Sequence, residues 1–180
     1  MSQTISAFTL AALVAAVTAL STQTVPSFAG KWSLVSDANA PGASGGALPA
    51  KGLGNMGSGW GSDITISQDA ATLTIEYDRF PERDLQPPVR LAYRLDGSES
   101  RNTLLMGRGV QEQVATASWK DEQIVITTTH RVASAGAREV TSETVQVLSL
   151  ETPTSLVVET TRSAVMGGRS STTRAVYTRK

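Results

Sequence analysis

The segment VRLAYRL, residues 89–95, decides the fold, because a large apolar side chain stands at every second position through it. Its odd positions are all apolar, and two of its even positions are arginines. Alternation with a period of two is typical of a β-strand that has one buried face and one solvated face. The Asp-Gly pair at 96–97 predicts a tight turn into a following strand. The segment therefore predicts an antiparallel hairpin with one apolar face.

Similar segments recur on both sides of this one. The pattern predicts a hairpin of residues 62–68 and 72–78 around the turn at 69–71 and, downstream, strands joined by short turns at 102–106, 110–119, 123–132, 138–149, 155–163 and 169–177. Short connections make neighbouring strands antiparallel and adjacent. A long meander with one apolar face closes on itself rather than leave its edges exposed. We expect an all-β fold, a single up-and-down antiparallel barrel of about eight to ten strands.

Composition bounds the class of protein. The chain has 180 residues, which is enough for one buried core, so we expect one domain. Sixteen basic residues balance sixteen acidic ones, and no nucleic acid is expected as a partner. The chain contains no cysteine, and a barrel of this size is stable by burial alone.

The N-terminus predicts export. Residues 7–20 form an uncharged apolar run, about as long as the core of a signal peptide and short for a membrane span. We expect a signal peptide over residues 1–20 and a periplasmic or secreted protein. No Lys or Arg precedes Lys31, so the positive start of a signal peptide is missing. An uncleaved N-terminal anchor stays open as the alternative, and only then do we expect contact with a membrane.

Several short motifs carry a resemblance to a known family. They are Gly30-Lys31-Trp32 in a predicted first strand at 28–35, YRLDG at 93–97, ASWKDEQIVI at 117–126, LVVET at 156–160 and RAVY at 174–177. From about Phe28 to the C-terminus the chain resembles bacterial secreted lipocalin-like (calycin-type) β-barrel proteins, mostly of unknown function. The resemblance implies a lipocalin-like barrel over residues 28–180. It also implies that Trp32 packs across a closed barrel end, covered by Arg174 or Arg179. A Gly-rich loop over residues 37–61 departs from the family pattern.

Motifs for catalysis are weak throughout the sequence. Residues 52–57 spell G-x-G-x-x-G, but no predicted strand precedes them and no helix follows, so a dinucleotide cofactor is not expected. The Gly-x-Ser-x-Gly spelling at residues 42–46 lies within the Gly-rich loop, with no predicted strand leading directly into it and no helix after it, so it does not support a serine nucleophile. We expect no catalytic residues, no cofactor and no enzyme activity.

Two groups of side chains leave alternatives open. His130, the one histidine, lies on the same predicted face as Ile124 and Ile126; it is either a ligand-binding group inside the barrel or, as we favour, an ordinary histidine near the rim. With one His and no Cys, no metal is expected. The second group is acidic, and solvated outer-face charges explain it better than a carboxylate pair or a hard-cation site. Its members are Asp63, Glu76, Asp78, Glu82 and Asp84.

These observations support two functional hypotheses. The first is a non-enzymatic envelope protein that binds a small apolar or amphipathic ligand inside the barrel, with Leu53, Met56 and Trp60 at the mouth or on a partner-docking loop. The second is an accessory subunit with a filled barrel, which contacts an envelope protein or a membrane complex. The presence of an apolar cavity separates them. The predicted lining residues are Leu73, Ile75, Tyr77, Leu91, Tyr93, Ile124, Ile126 and Val158.

Overall fold

A computed structural model describes residues 25–35, 60–78, 87–106, 109–132, 140–163 and 169–180. The predicted leader and most of the predicted Gly-rich loop lie outside these residues, together with Leu53 and Met56. Within the described ranges all regular secondary structure is β-strand, as predicted. The same ranges contain no helix long and apolar enough to cross a membrane.

The ten strands of these ranges follow one another along the chain. Their bounds are β1 Gly30–Val35, β2 Ile64–Gln68, β3 Thr72–Tyr77, β4 Val89–Arg94, β5 Asp96–Met106, β6 Gly109–Lys120, β7 Gln123–Val132, β8 Val140–Thr152, β9 Ser155–Arg162 and β10 Ser171–Arg179.

All ten strands belong to one sheet, and each hydrogen-bonded neighbour is antiparallel. The order is β4-β3-β2-β1-β10-β9-β8-β7-β6-β5, so the first strand pairs with the last and every other pair is consecutive in sequence. The two edges of the sheet, β4 and β5, are therefore also consecutive and lie next to each other. This confirms the predicted up-and-down barrel, which is nearly closed.

The start of β5 differs from the prediction. The sequence suggested a turn at 96–97 and a strand from Asn102, but the turn lies at Leu95 and the strand begins at Asp96. Gly97 has a φ of 80°, and the pairing with β6 shifts register between Asp96 and Glu99. The Asp-Gly pair thus makes a bulge inside a strand rather than a two-residue turn, because Leu95 already reverses the chain.

Side chains hold the join between β4 and β5. The Ala92 N–H donates to Oδ1 of Asn102 at 2.8 Å, and Nδ2 of Asn102 donates to the Ala92 carbonyl at 3.1 Å. The Arg94 N–H donates to Oγ of Ser100 at 2.9 Å. The Asn102 amide offers Ala92 one donor and one acceptor, as a peptide group does. It therefore takes the place of one pair of backbone hydrogen bonds between the two strands. We call this join the β4–β5 seam.

Candidate functional site in the barrel interior

The lower end of the barrel is where the turns at 69–71, 95, 121–122 and 153–154 connect the strands. Trp32 is fully buried there, and its Nε1 donates to the Phe28 carbonyl at 2.9 Å. The Phe28 ring packs against Trp119 with 5.9 Å between ring centroids. Aromatic rings therefore close this end of the interior.

Arg179 covers the closed end from outside. Its guanidinium lies 4.5 Å from the centroid of the Trp32 ring, a cation–π contact. The same group donates to the carbonyls of Ala29, Ser27 and Pro153 at 2.6, 3.2 and 2.9 Å. Gly30 has a φ of 149°, and a Cβ there would approach Nη1 of Arg179 to 3.0 Å, so a glycine suits this position.

Arg174 was the other candidate for covering Trp32. It is exposed, and its guanidinium pairs with the carboxylate of Glu151 at the outer surface. Of the two arginines, the structure places only Arg179 on Trp32.

The eight predicted lining residues are all buried and belong to one core cluster. Six of them have 0% relative exposure, which means that no space as large as a water molecule adjoins them. They therefore form a packed layer, which we call the apolar tier. The six are Leu73, Ile75, Leu91, Ile124, Ile126 and Val158.

Beside the apolar tier, part of the inner face is polar. The polar belt consists of buried side chains on β5 to β9, in phase with the apolar positions of the same strands. Register connects them: Thr128 pairs with Ala115 and Thr144, Gln146 with Ile126 and Thr160, and Asn102 with Gln113. The members are Ser100, Asn102, Gln113, Thr128, His130, Thr144, Gln146 and Thr160.

Within the part of the chain that the structure describes, three oxygens of the polar belt have no hydrogen-bond partner. They are Oε1 of Gln113, Oγ1 of Thr128 and Oε1 of Gln146, on the adjacent strands β6, β7 and β8. Folded proteins leave few buried polar atoms in this state, because each costs about 1–3 kcal/mol. The belt was not predicted from the sequence. Its signal was present in β7, where Thr128 and His130 continue the phase of Ile124 and Ile126.

His130 is 7% exposed and lies two residues before β7 ends at Val132, so it is buried close to the end of its strand. Burial lowers its pKa below the usual value, and the nearby Arg162 guanidinium lowers that pKa further. The imidazole is therefore neutral at pH 7 and behaves as a polar member of the belt. Ser142 is its partner in the ladder between β7 and β8.

Trp60 was expected at the mouth or on a partner-docking loop. It lies outside the ten strands but is only 1% exposed, and it belongs to the same core cluster as the apolar tier. Its ring meets Tyr177 edge to face, with 6.1 Å between centroids. The next residue, Gly61, donates its N–H to the Tyr177 hydroxyl at 2.9 Å.

Three of the five acidic side chains, Asp63, Glu76 and Asp78, lie on the outer surface of the barrel. Asp63 accepts from Nζ of Lys180 at 2.7 Å, and this hydrogen bond lowers the pKa of Asp63. Glu76 lies 3.5 Å from Arg90. Asp78 lines an open groove of about 190 Å³ together with Asp63 and Glu76. Glu82 and Asp84 lie outside the described residues. Among the described residues no group of His, Cys, Asp or Glu is arranged to hold a metal ion.

No protein-family model matches the sequence, and no curated protein matches it significantly.

Proposed function

We propose that this protein is a non-enzymatic binding protein of the cell envelope, which holds one small amphipathic molecule inside its barrel. The observation that carries the proposal is the group of three unpartnered oxygens of Gln113, Thr128 and Gln146. A ligand that donates hydrogen bonds to them would recover free energy that the empty barrel lacks. Its apolar part would rest on the neighbouring apolar tier.

The full burial of the apolar tier supports a second function. A preformed cavity would leave part of its lining exposed, whereas six of the eight predicted lining residues have 0% relative exposure. A filled barrel suits an accessory subunit that acts through its outer surface. If the barrel binds a ligand, the ligand must displace side chains as it enters.

Native mass spectrometry distinguishes the two functions. The protein is purified gently from its native envelope fraction, beside a Gln113→Leu, Gln146→Met variant that removes two of the three oxygens. We expect a small-molecule adduct on the wild-type monomer and a lower occupancy in the variant. An empty wild-type chain recovered only within a larger assembly would refute the binding function and support the accessory one.

Export is part of this proposal, since the apolar run at residues 7–20 supports it. Mass spectrometry of the mature N-terminus tests it separately. A chain beginning at Met1 or Ser2 would contradict secretion and favour an anchored protein.

A further inference from the structure

We propose that Trp60 is a built-in occupant of an aromatic-binding position beside Tyr177. A small flat aromatic molecule with a hydrogen-bond donor, such as an indole or a phenol, takes this position when Trp60 withdraws. The inference rests on the proposed binding function and specifies the aromatic group of that ligand.

Trp60 differs from most other large side chains of the core in how the backbone holds it. Trp32, Tyr93 and Tyr177 all lie within strands, so moving any of them breaks a ladder of hydrogen bonds. Trp60 lies outside the ten strands, and its backbone forms an isolated bridge with Ser62, two residues along the chain. Its withdrawal therefore leaves the barrel ladders intact.

Phe28 also lies outside the strands, but its backbone N–H and carbonyl groups both form hydrogen bonds. Its N–H donates to Oε1 of Gln68 at 2.8 Å, and its carbonyl accepts from Nε1 of Trp32 at 2.9 Å. Phe28 is thus fixed to the closed end, and it is a poor candidate for exchange with a ligand.

The space that Trp60 occupies has the chemistry of an indole site. One wall is the Tyr177 ring, which already accommodates an aromatic group edge to face. The Tyr177 hydroxyl accepts the Gly61 N–H, so after withdrawal this fully buried oxygen needs a new donor. An indole N–H or a phenol O–H supplies one. Apolar cavities of roughly 150 Å³ are large enough to bind benzene.

Gly61 has the backbone freedom that such a movement requires. Its φ is 117°, in a region that other residues adopt only with strain. Gly61 therefore follows directly after Trp60, the side chain that leaves. It also donates the hydrogen bond to Tyr177 that this departure breaks.

Calorimetric titration with indole and 1-methylindole tests the inference, because the two probes differ in the N–H donor. We expect the wild type to bind indole more tightly than 1-methylindole by about 2- to 10-fold, the value of one hydrogen bond. Tyr177→Phe should abolish this difference. Trp60→Ala should bind indole at least about 10-fold more tightly than the wild type, since no side chain has to be displaced.

Tryptophan fluorescence provides a readout of the displacement itself. Indole analogues that absorb at the excitation wavelength obscure the signal, so phenol is the probe here. Phenol should shift the emission of the wild type to longer wavelength as Trp60 reaches water, and the shift should be absent in Trp60→Phe. If Trp60→Ala does not fold, Trp60→Leu replaces it in the titrations.

The outcomes separate this inference from the proposed function. Indole binding to the Trp60 variant but not to the wild type would mean that Trp60 never leaves, and would overturn the inference. No indole binding to either protein would overturn it as well. In both cases a non-aromatic adduct on the native protein would leave the binding function standing, and an empty native protein would refute both.

Discussion

Replacing Asn102 with alanine should weaken the β4–β5 seam and with it the whole barrel. The substitution removes two hydrogen bonds, of 2.8 and 3.1 Å, that tie the backbone of Ala92 to β5. At about 1 kcal/mol each, we expect the free energy of unfolding to fall by about 2 kcal/mol. For a chain of this size that corresponds to a fall in Tm of roughly 4–8 °C.

Urea denaturation followed by tryptophan fluorescence measures this loss, and amide hydrogen exchange locates it. The Ala92 N–H should exchange faster in the variant, because its acceptor was the deleted side chain. Thr103→Ala, an exposed neighbour on the same strand, is the matched control and should cost under about 0.5 kcal/mol. An Asn102→Ala protein as stable as the Thr103→Ala protein would refute the idea that these bonds hold the seam.

Three further predictions follow from the interior and the closed end. Arg179→Ala should lower the free energy of unfolding by about 2–4 kcal/mol, because it removes the cation–π contact and the hydrogen bonds to carbonyls. Arg174→Ala should change the free energy of unfolding by under about 1 kcal/mol. Equal losses for the two variants in denaturation curves would contradict this. Gln146→Met removes an unpartnered buried oxygen and should raise the free energy of unfolding by about 1–2 kcal/mol. The exposed control is Gln123→Met. A decrease in the free energy of unfolding would show that the oxygen has a partner. The pKa of His130 is lower in the folded state than in the unfolded chain, so the unfolded chain takes up this proton at a higher pH. The free energy of unfolding therefore falls as the pH drops below about 6.5 towards the folded-state pKa. His130→Gln should flatten the stability profile between pH 7 and pH 5, and an unchanged slope there would exclude His130 as its source.

The fold was predictable because the sequence alternates so regularly. In residues 89–95 every second side chain is apolar, and the structure places Leu91 and Tyr93 in the core while Arg94 faces solvent. Local alternation decides which face of a strand is buried, and a meander with short turns has few ways to close. The start of β5 was not predictable, since an Asp-Gly pair is compatible with a tight turn as well as a bulge.

The candidate site was less accessible to sequence reasoning. Two arginines matched the closing position equally well, because the choice between Arg174 and Arg179 depends on which one the register of β10 brings opposite Trp32. Trp60 looked like a mouth residue, since nothing local indicates that a Trp outside the strands packs on Tyr177, more than a hundred residues later.

The sequence by itself determined the class of fold, the strands and the faces that they bury, because these depend on the side chains of neighbouring residues. Tertiary structure alone decided how the barrel closes through Asn102, where the interior changes from apolar to polar, and which oxygens are left without partners. Those properties arise between residues far apart in the chain. They depend on strand register and on three-dimensional packing, which no local pattern encodes.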